Sequence, residues 1–213
     1  MNPRFAAAVD PVFLHVLDLL ERIGRNEAHA PDVERELIGN RFREAEAQIG
    51  EKQGWDLAKY ALVAWIDDVL IAAPWEGRDW WENNSLEFAY FKSRDRATEF
   101  FQKAIRAAEM TRRDALEVFY VCVVLGFRGL YGLQDAAFMA DQLQLPTDLN
   151  EWARRTSRSI QLGQGRPPIS ESIRPRTTAP PLEGKFLLVG TVLVSAVLSA
   201  FAIVIAYYLV WQA

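Results

Sequence analysis

The sequence predicts an all-α domain carried on one C-terminal transmembrane helix, and three observations predict it. Apolar residues recur at helical spacing from residue 10 to about 162, with no alternating run of any length and no Asn-Gly hairpin signal. A proline-rich stretch separates this part from the rest of the chain. Residues 186–211 then follow without a charged side chain, more than the roughly 20 apolar residues needed to cross a hydrocarbon core. The expected division is a helical domain over 1–162, a tether over 163–185, a span over 186–211 and a short tail at 212–213.

Asp10-Pro11 reads as an N-cap and first helical residue, with Val12, Val16, Leu19, Leu20 and Ile23 on one face. Pro31 opens a second helix expected to reach about Gln53, strongly charged, with a sparse stripe of Val33, Leu37, Ile38, Phe42, Ala45 and Ile49. Residues 55–73 are apolar nearly all round, which marks a central helix, and Pro74-Trp75-Glu76-Gly77 breaks it. Asn84-Ser85-Leu86-Glu87 caps a short helix. Ala97, Phe100, Phe101, Ile105 and Ala108 give 94–110 an apolar face. Thr111-Arg112-Arg113-Asp114 resembles a capping box launching a second buried helix over 115–125. Residues 118–125 favour strand by propensity, but the cap and the punctuation by Gly126, Gly129 and Gly132 decide for helix. Segments 135–143 and 148–161 supply one or two more.

Between Gly163 and Gly184 fall five of the chain's ten prolines. The pairs at 167–168 and 180–181 remove amide donors and favour extended backbone, so this is read as a semi-rigid spacer. Beyond it, Tyr207, Tyr208 and Trp211 sit where aromatic rings suit a headgroup layer. Arg166, Arg174, Arg176 and Lys185 lie on the near side and no Lys or Arg follows the span, which places the N-terminal domain in the cytoplasm. Ser195, Ala196, Ser199 and Ala200 make small-xxx-small spacings, a candidate dimer face within the membrane.

A net charge of −4 argues against a sequence-independent nucleic-acid binder. The single cysteine, Cys122, cannot form an internal disulfide and reads as a small buried hydrophobe in a reducing compartment. No apolar h-region precedes Asp10, so no cleavable signal peptide is expected. The histidines are His15 and His29, and there is no H-E-x-x-H, C-x-x-C, phosphate-binding glycine loop or G-x-S-x-G. No catalytic residue, cofactor or metal site is therefore expected.

Asp67-Asp68 interrupts the apolar central helix. Neighbouring side chains point about 100° apart, so the two cannot form a tight carboxylate dyad. One is expected to face solvent or a groove, the other to pair with a base or cap backbone amides at a helix start, because a bare buried charge is too costly. Trp75, Trp80 and Trp81 stand in a segment rich in Glu, Asp and Asn, and suit either an interface hot spot or an anchor of the loop on the core. Asp67, Asp68, Trp75, Trp80 and Trp81 are the candidate partner-binding residues.

Taken in order, the stretch from Lys59 to Asp68, then Pro74-Trp75, Asn84-Ser85-Leu86-Glu87, Glu99-Phe100-Phe101 and the stretch from Leu116 to Tyr131 resemble the DotU/IcmH family, called TssL in type VI secretion. The resemblance implies a cytoplasmic bundle of two small helical subdomains on one inner-membrane helix, without catalysis. It further implies an IcmF/TssM-like membrane partner, docking of baseplate components at the cytoplasmic face, and homodimerisation helped by the span. Two positions depart from the family pattern: Asp67-Asp68 stands where Asp-Glu is usual, and Gly129-Leu130-Tyr131 where Gly-Arg-Tyr is usual, with Arg128 as the nearby cation. Some relatives carry a peptidoglycan-binding domain beyond the span; here cell-wall anchoring is expected from a partner. The expected role is a structural subunit of a type VI or type IVB secretion membrane complex, against a generic tail-anchored adaptor or, with no residue in support, a tethered hydrolase.

Overall fold

A computed structural model describes residues 1–49, 52–163, 193–195, 198–200 and 205. Among the described residues the regular structure is helical: α1 (Pro3–Gly24), α2 (Pro31–Gln48), α3 (Lys52–Ala72), α4 (Arg78–Asn83), α5 (Leu86–Phe91), α6 (Arg96–Glu109), α7 (Asp114–Val124), a 3-10 turn (Gly129–Gly132), α8 (Ala136–Gln142) and α9 (Leu149–Gly163). The all-α expectation holds. The chain divides into two compact units, Met1–Arg166 and Pro167–Ala213. In the second unit, residues 193–195, 198–200 and 205 are helical and exposed; the rest of the expected tether and span lies outside the described residues.

The central helix is α3, which packs against α1, α4, α5, α6 and α7. Between Trp55 and Leu70 most side chains are buried, and residues 60–67 are buried without a break, as a helix apolar nearly all round requires. Trp65 lies 5.1 Å from Phe13 on α1 and donates its indole N–H to the Leu125 carbonyl just past α7, so one side chain ties both flanks to the spine. Cys122 is buried where α7 meets α3, its Sγ 3.5 Å from the Ala61 carbonyl, and burial pushes its thiol pKa up. On the far flank Phe100 stacks on Phe127 at 3.9 Å, and Phe101 meets Trp152 of α9 edge-on at 5.3 Å.

The stretch Asp114–Gly132 is long and apolar enough for a membrane span by composition alone. It is a core element: α7 itself is 11 residues, too short to cross, and its Leu116, Val118, Phe119 and Cys122 are buried in the bundle.

Several helix ends differ from expectation, among them the start of α3 at Lys52 rather than residue 55, and three have a visible cause. The first helix starts at Pro3, where the Asn2 side chain caps the Arg4 amide, and Pro11 lies inside it. Phe5, Ala8 and Val9 continue the buried face of Val12, Phe13 and Val16, and that burial carries the helix through the missing proline N–H. The second helix ends at Gln48, with Ile49 extended. The capping box does not form: Arg113 holds the N-cap position of α7 without a side-chain cap, while the Asp114 carboxylate accepts from the Asn2 amide and Arg112.

The α1–α2 pair closes over a buried carboxylate. Glu34 is fully buried; Arg22 grips its two oxygens at 2.5 and 3.2 Å, and the His29 amide donates to it at 3.2 Å. Burial works against the charge, but the Arg22 fork and the His29 N–H outweigh it and hold Glu34 below its ordinary pKa. His15 Nε2 sits 3.8 Å from Glu34 and is buried without a hydrogen-bond partner, and desolvation lowers the His15 pKa. The unfolded chain therefore binds the His15 proton first as pH falls, so this site's contribution is whole above about 6.5 and shrinks as pH drops toward the folded value. Urea unfolding of wild type and His15→Gln at pH 7 and pH 5 is expected to show a smaller acid loss in the variant.

Candidate protein–protein interface

The last turns of α3, the loop 73–77, α4 and the start of α5 form one side of the domain. They are bound together by Asp67. Its side chain is buried, and three donors converge on it: Trp81 Nε1 and the Leu86 amide on Oδ1, both at 2.9 Å, and the Glu87 amide on Oδ2 at 2.8 Å. Leu86 and Glu87 are the first residues of α5, so the carboxylate supplies acceptors to amides that no helix turn can satisfy. Ser85 at the N-cap accepts from the Phe88 amide, as the capping signal in 84–87 predicts. Burial raises the Asp67 pKa to about 6, opposed by the two amides and the indole.

Asp68, one residue on, points elsewhere. Its side chain is 27% exposed; Oδ2 accepts from the Arg128 backbone amide at 3.2 Å and Oδ1 lies 3.8 Å from Arg96 Nε. The cation beside it is Arg96 on α6, which the sequence reading missed, while Arg128 contributes its backbone N–H. The two acids thus take separate roles: Asp67 caps amides, and Asp68 is the partly exposed one.

The tryptophans divide in the same way. Trp81 is fully buried beneath Trp75 and Trp80, each 6.2 Å away centroid to centroid. Trp75 is half-buried; it donates to the Leu70 carbonyl at 2.9 Å and folds back over Gly77, where any Cβ would stand 2.5 Å from the ring. Only glycine accommodates that ring, which explains the Trp75-Glu76-Gly77 spacing. Trp80 is half-buried under the Arg35 guanidinium of α2, 5.9 Å above its ring. Of the five predicted contact residues, Asp67 and Trp81 are corrected to internal roles, since neither reaches solvent. Asp68, Trp75 and Trp80 retain exposed surface.

A second buried cluster braces α3, α5 and α6. Tyr60 lies 2.8 Å through its hydroxyl from Glu87 and 3.2 Å from Glu99, which also accepts from Ser93 and pairs with Lys103 at 2.9 Å. Lys103 Nζ stands 4.5 Å over the Tyr60 ring. Burial, and after it the two acids, drive the phenol pKa far up, so Tyr60 stays a hydrogen-bond donor. The signal available in the sequence was a hydroxyl in an otherwise apolar helix. Among the described residues no group of three His, Cys, Asp or Glu side chains is placed to hold a metal ion.

Residues 4–211 match the family described as "Type VI secretion system protein DotU". This chain belongs to the DotU family. The description assigns the type VI branch and makes the chain a secretion-system component. Among solved structures, the cytoplasmic domain of TssL from Acinetobacter baumannii superposes with a TM-score of 0.59 at 21% identity, over 75% of this chain and 98% of that one. At that identity the likeness speaks for the fold. Comparison with curated proteins finds no match.

Asp67→Asn would set an amide NH2 against one of the three donors. It is expected to cost about 2–3 kcal/mol in urea unfolding, the scale of hydrogen bonds to a buried charged group. Asp68→Asn, at a part-exposed pair, is expected to stay within about 1 kcal/mol.

Proposed function

We propose that this DotU-family chain is a non-catalytic structural subunit of a type VI secretion membrane complex. Its helical domain offers a cytoplasmic docking platform to baseplate components and binds an IcmF/TssM-like inner-membrane partner. Residues 186–211 anchor it in the inner membrane, with the N-terminal domain in the cytoplasm and the C-terminus in the periplasm. Homodimers form with help from the face of Ser195, Ser199 and Ala200. Ala196, the fourth residue of that face, lies outside the described residues. Ser199 already turns its hydroxyl to the Ser195 carbonyl at 2.8 Å, which spares that group a partner in lipid.

The observation that carries the platform reading is the Asp67 frame. It fixes the two six-residue helices α4 and α5 on α3 and leaves Trp75 and Trp80, of the residue type enriched where binding energy concentrates, at the surface beside Asp68. Rigid display of part-exposed tryptophans lowers the ordering cost that association must meet.

The test is recovery of the tagged full-length chain from detergent-solubilised native membranes, with mass spectrometry of what accompanies it. An IcmF/TssM-like protein and baseplate components are expected with the wild type. Trp80→Ala and Asp68→Lys together should reduce baseplate recovery roughly 30-fold, the scale of one hot-spot residue, while leaving the membrane partner. Recovery with no secretion component would favour a generic membrane-anchored adaptor.

A further inference from the structure

The last three turns of α9 carry more positive charge than packing explains. Leu149, Trp152, Thr156 and Ile160 are its buried stripe. On the opposite side Arg154, Arg155 and Arg158 are exposed, followed by Gln161 and by Leu162, which is 82% exposed at the tip. Glu151 is paired with Arg155 one turn earlier, and no acid follows it in the helix. Arg113 packs against Gly163 so closely that a Cβ there would clash, which brings a further arginine to this end of the bundle; its Nε and Nη1 are buried without a hydrogen-bond partner. The acids nearby are largely engaged. Asp114 is held by Arg112 and the Asn2 amide, and Glu117 by the Met1 amine, leaving exposed Glu109 as opposing charge.

We propose that the exposed arginine face at the C-terminal end of α9 docks on the anionic headgroups of the membrane to which the chain is anchored. Charge complementarity carries it: three guanidiniums and a protruding leucine, on a domain whose net charge elsewhere is acidic, make this end attractive to a negative leaflet. Chain length allows it. Residues 164–185 fully extended reach about 80 Å at most, so an anchored chain holds the domain at a high effective concentration against its own membrane. Docking by this end sets the orientation of the remaining surface, including Trp75 and Trp80. The proposal rests on the anchoring reading above, and the experiment reads the two separately.

The full-length chain carrying Gln161→Cys, labelled there because Cys122 is buried, is reconstituted into phosphatidylcholine vesicles with or without phosphatidylglycerol and with a headgroup quencher. Retention after alkaline carbonate extraction reports the anchor. Dye quenching reports docking. Strong quenching is expected in anionic vesicles alone. Each basic side chain near such a surface is worth about fivefold, so Arg154→Glu with Arg158→Glu should lower the docked-to-free ratio at least tenfold, and added salt should do the same. The Lys counterparts at both positions should retain it. Equal quenching in neutral and anionic vesicles, or quenching unmoved by charge reversal, overturns the proposal.

Discussion

A carboxylate buried among apolar side chains is tolerable only if its lone pairs are filled, and in this domain filling them organises an entire side of the fold. Asp67 projects from α3 and receives an indole N–H from α4 and two backbone amides from α5. Neither α4 nor α5 exceeds six residues, far below the length at which a helix holds itself in water. Their position is therefore borrowed from α3. Trp81 completes the arrangement by filling the space beneath, with Trp75 and Trp80 laid over it.

The rest of the bundle follows the same economy. One long helix is buried on nearly every side, and its neighbours other than α1, which packs on it through Phe13, are fastened to it by polar bonds set within apolar contacts. Trp65 reaches the Leu125 carbonyl, and Tyr60 bridges Glu87 and Glu99. Hydrophobic burial supplies the drive to collapse, while these bonds select one register among the many that greasy helices permit.

Much of this was legible in the sequence, and the misses share a cause. The apolar run of α3, the break at 74–77 and the cap at 84–87 are local signals, and the helices appear where they point. The doublet at 67–68 showed that one acid must find donors, though not which, since those donors lie 14 to 20 residues downstream. Arg96 as the neighbour of Asp68 left no local trace. Pro11 misled because proline disfavours helix interiors, whereas tertiary burial of Phe5, Ala8 and Val9 outweighed that preference. The capping box at 111–114 failed because Asp114 found partners distant in sequence. In the candidate interface, residue types were readable, but burial separated Trp81 and Asp67 from the surface residues beside them.

The central claim is that Asp67 holds the α5 amides in place and thereby the candidate interface beside them. Amide hydrogen exchange at Leu86 and Glu87 tests it most directly. In the wild type both amides should exchange only through global unfolding, and in Asp67→Asn they should open locally while the α3 amides at 58–66 keep their protection relative to the variant's own global stability. If Leu86 and Glu87 exchange in the wild type as fast as exposed loop amides, the carboxylate does not hold that side of the domain and the account is contradicted.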